Sequence, residues 1–161
     1  MPIPTWSVGQ VLAASDVDNW FVPLAAYKTG NTTRSATSLA SDPDLTLNVA
    51  ASAVYDVRCY VLYSGAAATG MNFGFTAPAG VSGSYGTLYN VSGTGTTGSA
   101  WVWSATPNTA GTPAGNSLII IEGTLITGVT AGVLAFQWAS NTGGNNVTVI
   151  NGSKLTARRV G

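Results

Sequence analysis

Short segments of alternating apolar and polar residues, separated by glycine-rich turns, run through most of this sequence. Val54–Tyr63 is the longest of them, and no strong 3.6-residue periodicity follows residue 30. Alternation of this kind predicts half-buried β-strands. We expect strands at residues 45–49, 54–63, 71–75, 87–91, 101–105, 117–127, 133–140, 147–150 and 154–159. The sequence therefore predicts an all-β fold: an antiparallel two-sheet sandwich or jelly-roll-like barrel of about eight to nine strands.

The inward faces of these strands define the predicted core. Two sheets packed face to face would bury Tyr55, Val57, Cys59, Val61, Phe73, Phe75, Ile119, Ile121, Leu134, Phe136 and Trp138. Cys59 is the only cysteine, so no intrachain disulfide can form, and we expect a buried, inert thiol. The other face of the 54–63 strand carries Asp56, Arg58, Tyr60 and Leu62, which is not a plainly solvent-facing pattern.

Residues 1–30 differ from the body, residues 31–161, which we assign to the β-sandwich domain. Pro2 and Pro4 force an extended entry, and Ser15 begins a candidate short helix that Pro23 ends. The segment is dense in large apolar residues, which either pack on their own domain or form an arm that docks on a neighbouring protein. We predict an N-terminal attachment arm whose docking residues are Trp6, Val8, Val11, Leu12, Val17, Trp20 and Phe21.

Charged residues are scarce. The chain has six basic residues, six acidic residues and no histidine, so it lacks most groups that supply acid–base chemistry. We predict that it is not an enzyme and has no catalytic, cofactor-binding or metal-binding residues. Zero net charge without a basic run argues against a nucleic-acid partner. No apolar stretch is long enough for a membrane span, and the first residues do not resemble a signal peptide, so we expect synthesis in a cytoplasm without secretion by that route.

Three sets of residues retain a chemical alternative. Glu122 lies within an apolar strand. It is either a general acid whose pKa is raised by an apolar pocket, an outward-facing residue, or a residue that pairs with Arg58 across a subunit contact. Asp42 and Asp44 fit turn and cap chemistry better than a calcium loop. Four aromatic residues could stack on sugar rings or fill the core or a trimer contact: Trp101, Trp103, Tyr85 and Tyr89.

Several phrases of the sequence resemble short structural proteins of tailed bacteriophages, especially those infecting actinobacteria. The arm carries Thr5-Trp6, Gly9-Gln10-Val11-Leu12 and Ser15-Asp16-Val17. The body carries Ser41–Leu47, Phe75–Gly80, Phe136–Thr142 and the ending Arg158-Arg159-Val160. The resemblance covers most of the chain.

This resemblance implies a virion protein: a head decoration protein, a head fibre or a minor tail protein, often trimeric, without catalytic residues. The arm meets the domain with no stalk between them, which suits a cap on a capsid lattice better than a fibre. We therefore expect a homo-oligomer, most simply a trimer, that docks on the major capsid protein at the outer surface of the head. The alternative is a tail or head-fibre tip, held by tail proteins, that binds a host-surface glycan.

Overall fold

The chain forms twelve β-strands within the residues that the computed structural model describes, which are 7–11, 13–14, 22–66, 69–90, 96–103, 108–110 and 115–161. The strands are β1 Leu24–Tyr27, β2 Thr32–Arg34, β3 Ala40–Val49, β4 Val54–Gly65, β5 Met71–Thr76, β6 Ser82–Asn90, β7 Thr96–Val102, β8 Asn108–Ala110, β9 Gly115–Ile126, β10 Gly132–Ser140, β11 Val147–Val149 and β12 Lys154–Arg159. The all-β prediction is confirmed. The three strands absent from the prediction, β1, β2 and β8, have only three or four residues each.

The strands make two antiparallel sheets. The larger sheet has the order β1-β12-β4-β9-β6-β7, with β11 and β2 joined beside β4, and the smaller has the order β3-β10-β5-β8. Between β3 and β10 the pairing is nested, because β6 pairs with β7, β5 with β8, β4 with β9 and β3 with β10. Eight strands wrapped in this order form a jelly roll. Of the two-sheet arrangements that the sequence left open, the strand order therefore identifies the jelly roll.

The core lies between the two sheets and holds every side chain predicted to be there. Residues from Tyr55 to Tyr63 that face inward on β4 meet inward residues of β9, and Phe73, Phe136 and Trp138 face them from the smaller sheet. Such burial contributes roughly 1.5–3 kcal/mol for each large apolar side chain. Gly123 is required in this layer, since a Cβ there would lie 2.5 Å from the Cα of Tyr85.

β1 belongs to the larger sheet although it lies within residues 1–30. It pairs with β12 from Leu24 opposite Ala157 to Tyr27 opposite Lys154. Lys28, directly after β1, donates its backbone N–H to Ser153 and is buried. The chain before Val22 is therefore joined to the sandwich through a paired edge strand. No helix in the described ranges is long and apolar enough to cross a membrane.

Candidate functional site

The arm residues divide between described and undescribed parts of the chain. Val8 and Val11 are fully exposed, beside a turn in which Gln10 donates its backbone N–H to the Ser7 carbonyl. The other docking residues lie outside the described residues: Trp6, Leu12, Val17, Trp20 and Phe21. The helix expected after Ser15 falls there too. Among the described residues that precede β1, the docking candidates Val8 and Val11 therefore do not pack on the sandwich.

Two of the four candidate glycan-stacking aromatics are buried within their own chain. Tyr85 and Trp103 are each 2% exposed, with ring centroids 4.8 Å apart, and both pack against Phe75. The Trp103 indole N–H donates to the Thr124 carbonyl oxygen at 2.7 Å, and burial raises the pKa of the Tyr85 phenol. Neither ring can present a face to a sugar here. Their position corresponds to the core-filling alternative, because Gly123 leaves room for them under β9.

The other two candidate aromatics, Tyr89 and Trp101, provide less evidence about a sugar-stacking role. Tyr89 is half-buried against the core. The backbone of Trp101 pairs with Tyr85 in the β6–β7 ladder, and its side chain lies outside what the structure describes. A shallow groove of about 420 Å³ lies beside the buried aromatic cluster, between the Ala77–Gly80 loop and Gln137. Its lining is mixed: Phe75 and Trp103 contribute apolar surface, and Thr76 and Gln137 contribute polar groups.

A buried ion network joins the end of β1 to β3. The Lys28 ammonium donates to both Asp42 carboxylate oxygens, at 3.1 and 2.9 Å, and to Asp44 at 3.2 Å. Both Lys28 and Asp42 have fully buried side chains. Asp42 also accepts hydrogen bonds from the Trp138 indole N–H at 3.0 Å and from the backbone N–H groups of Asp44 and Leu45. These last two bonds are the turn and cap chemistry expected of this carboxylate.

The electrostatics of Asp42 follow from these contacts. Burial alone would raise its pKa, but the hydrogen bonds from Lys28, Trp138 and the Asp44 backbone, with the Lys28 charge, outweigh burial and lower the pKa. The carboxylate is therefore ionised and fully engaged. No three histidine, cysteine, aspartate or glutamate side chains converge as a metal site in the described ranges.

Arg34 extends the network to the edge of the smaller sheet. Its guanidinium lies 4.3 Å from the Trp138 ring centroid and donates to the carbonyl oxygens of Ala40, Ser41 and Trp138. These bonds occupy carbonyl groups at the start of β3, the outermost strand of that sheet. An edge strand covered in this way is less able to pair with another chain.

A second group of charges lies on the outward face of the larger sheet. We name Asp56, Arg58, Glu122, Lys154 and Arg158 the outer-face charge cluster. Arg58 lies 3.9 Å from both Asp56 and Glu122, and Arg158 lies 3.6 Å from Asp56. Glu122 is an outward residue, 51% exposed at its side chain, and it lies 3.9 Å from Arg58 of the same chain. Pairing with Arg58 across a subunit contact stays a prediction.

The sequence did not predict that Lys28, Asp42 and Trp138 form one ion network. Asp42 and Asp44 were singled out, but Lys28 and Trp138 lie 14 and 96 residues from Asp42, and no local pattern joins them. The rarity of charge was a usable signal. Lys28 directly follows an apolar segment in a chain with only six basic residues, and a lysine that is buried there needs an acidic partner. Cys59 is buried as expected, and burial raises the pKa of its thiol.

Comparisons with known proteins give distant likenesses. No protein-family model matches the chain, and no curated protein matches it. A chain of the tripod (BppUct-A-L) from the baseplate of bacteriophage Tuc2009 aligns over 98% of this chain and 73% of its own, with 11% identity and a TM-score of 0.42. A chain of infectious bursal disease virus, strain Gt, aligns over 99% and 46%, with 12% identity and a TM-score of 0.23. At these TM-scores neither likeness carries an argument about role.

Proposed function

We propose that this chain is a structural protein of a tailed-phage virion, and specifically a capsid decoration protein. In this proposal the N-terminal arm docks on the outer head shell and the jelly roll forms a rigid cap. The role is mechanical and includes no catalysis. The assignment to phages, and to an actinobacterial host, rests on the sequence resemblance.

The observation that carries the proposal is the contrast between arm and sandwich. Val8 and Val11 lie in solvent, while the sandwich completes its own core. Exposed apolar side chains on a segment tethered to a stable domain favour docking on a partner. At ~25 cal/mol per Å², a few hundred Å² of apolar area per arm supplies several kcal/mol before association costs. In a trimer, three arms would act together through their effective concentration.

The charged groups support a mechanical role. Lys28, Asp42 and Arg34 are engaged within the fold, so none of them is placed to act on a substrate. The fold itself does not choose between alternatives, because jelly rolls serve in viral capsids and in lectins alike. A glycan-binding tip would need a site other than Tyr85 and Trp103, whose rings are buried.

An arm deletion tests the proposal. The deletion should remove residues 1–22 and stop before Pro23, because β1 and Lys28 are part of the sandwich. We expect the shortened chain to keep its far-ultraviolet circular dichroism and thermal midpoint but to lose binding to particles stripped of this protein. Retention of particle binding would contradict the arm as the anchor.

Gold labelling on intact particles tests the location. Label spread over the head at lattice spacing is the expected result. Label confined to the tail would overturn decoration and favour the tip alternative. The particle-binding assay can also use point variants: Val8→Ser and Val11→Ser test the arm. Val129→Ser, on the β9–β10 turn, is their control, since all three valines are exposed.

A further inference from the structure

The outward face of the larger sheet carries a contiguous group of large apolar side chains. We name Tyr60, Leu62, Leu88, Leu118 and Ile120 the apolar band. The strand register makes them neighbours, because Ile120 lies opposite both Tyr60 and Leu88, and Leu118 lies opposite Leu62. Leu88 is 49% exposed and Leu118 36% exposed. The solvated face of an antiparallel sheet ordinarily carries polar residues at such positions.

The outer-face charge cluster borders this band directly. The Tyr60 hydroxyl donates to Glu122 at 3.3 Å, and the Lys154 ammonium lies 4.8 Å from the Tyr60 ring centroid. Five of the twelve charged residues of the chain are thus gathered on one face. An apolar patch rimmed by charges is the usual form of a protein interface.

We propose that this face binds a second copy of the same chain. The rim has three basic and two acidic groups, so one copy can present acidic groups to the basic groups of another. That mixture does not complement a polyanion or an anionic membrane, which would call for one sign of charge. The ion pairs within the chain are long, at 3.6 to 3.9 Å, and leave these side chains free to take partners across an interface.

The dimensions of the face agree with such a partner. The band and rim span four adjacent strands, β12, β4, β9 and β6. With strands ~4.8 Å apart and the seven residues of β4 from Asp56 to Leu62 rising ~3.3 Å each, the face measures roughly 19 by 23 Å in projection. An area of this order suits a small interface, below the ~800 Å² per partner of a standard-size one. The arm is then left to bind the particle while this face binds sister copies.

Mass in solution tests the inference on the full chain. We expect the wild type to have the mass of an oligomer, and a Leu88→Asp/Leu118→Asp variant to have the mass of a monomer with unchanged circular dichroism. The matched control is Val129→Asp/Val133→Asp, which adds the same charges at exposed valines away from the band. A wild type that is monomeric at every concentration, or a band variant that keeps the wild-type mass, would overturn the proposal.

Cysteine labelling gives a second readout that does not depend on disruption. The native thiol of Cys59 is buried, so a Leu88→Cys variant would have one reactive thiol. We expect maleimide labelling at this position to be at least tenfold slower than in Val133→Cys when the protein is concentrated, and the two rates to converge on dilution. Protection that arises only on virus particles would overturn a second copy as the partner and assign the face to a particle protein.

The inference depends on the proposed function only for the expectation that copies associate. A failure of this inference can be distinguished from a failure of the proposed function, because the arm-deleted chain should still form the oligomer. The band variant should instead lose the oligomer and keep one weak arm-mediated contact with particles.

Discussion

The ion network and the outer-face charge cluster both pair basic with acidic side chains, but the first lies in the interior and the second lies on the surface. In the ion network, Lys28 and Asp42 are fully buried and 2.9 Å apart. In the outer-face charge cluster, Arg58 and Glu122 are more than half exposed and 3.9 Å apart. A buried charge that loses its partner keeps the full cost of desolvation, whereas water compensates an exposed one. The comparison therefore predicts that the network governs stability and leaves the cluster available for recognition.

The largest effect should come from breaking the buried pair. Lys28→Met removes the ammonium and leaves Asp42 uncompensated in the interior, so we expect a loss of about 3–5 kcal/mol in the free energy of unfolding. Urea unfolding followed by tryptophan fluorescence measures it. Arg58→Met is the matched control, with an expected loss below about 1 kcal/mol. Equal losses for the two variants would remove the distinction between the two groups.

The indole hydrogen bond to Asp42 should come next. Trp138→Phe keeps an aromatic ring but deletes the donor to a carboxylate, a bond of about 1.5–3 kcal/mol. Trp103→Phe is its control, because that indole donates to a neutral carbonyl, worth about 0.5–1.5 kcal/mol. Both variants lose similar volume. A larger loss at Trp103 would show that the charge of Asp42 adds nothing to its hydrogen bond.

Acid should reduce the stability of the fold through the ion network. The pKa of Asp42 is lower in the folded chain than in the unfolded chain, so its contribution is present above the unfolded value, near pH 4, and is lost as pH falls through the folded value. We expect urea stability to fall below about pH 4 in the wild type and to fall less steeply in Asp42→Asn. Asp56→Asn, on the outer face, should keep the steep acid limb. An Asp42→Asn profile parallel to that of the wild type would place the acid sensitivity elsewhere.

The smallest effect should come from the exposed pair. A double-mutant cycle with Arg58→Gln and Glu122→Gln should give a coupling of about 0.2–1 kcal/mol that weakens in salt. The cycle is measured at a protein concentration where the chain is dissociated. A coupling above about 2 kcal/mol would mean that the cluster is a structural element like the network.

The parts of this structure that the sequence predicted are those encoded locally. Alternation in Val54–Tyr63 marked β4 and its inward face, and all its predicted core residues are buried. Strand order was not readable, because the pairing of β3 with β10 depends on closure of the whole sandwich. A strand was expected over residues 101–105, but β7 ends at Val102 and the Trp103 ring is buried in the core. The arm's docking role stays a prediction.

The outer-face residues illustrate a signal that was present but incomplete. Tyr60 and Leu62 alternate with buried residues and so marked the outward face of β4 as unusual. Their neighbours Leu88 and Leu118 come from β6 and β9, and only the strand register brings them together. Periodicity assigns a residue to a face, whereas the neighbours across that face depend on topology.

The nested pairing of the jelly roll ranks its strand pairs by the length of chain that each encloses. The β6–β7 hairpin closes the shortest loop, and each pair outside it, up to β3–β10, encloses a longer one with a greater loss of chain entropy. β1 and β12, over a hundred residues apart, come together across the longest span. Such non-local pairing predicts folding in milliseconds to seconds. A ribosome must also finish β12, the last strand, before β1 can pair, so the chain next to the arm joins the sheet only after every other strand has been synthesised.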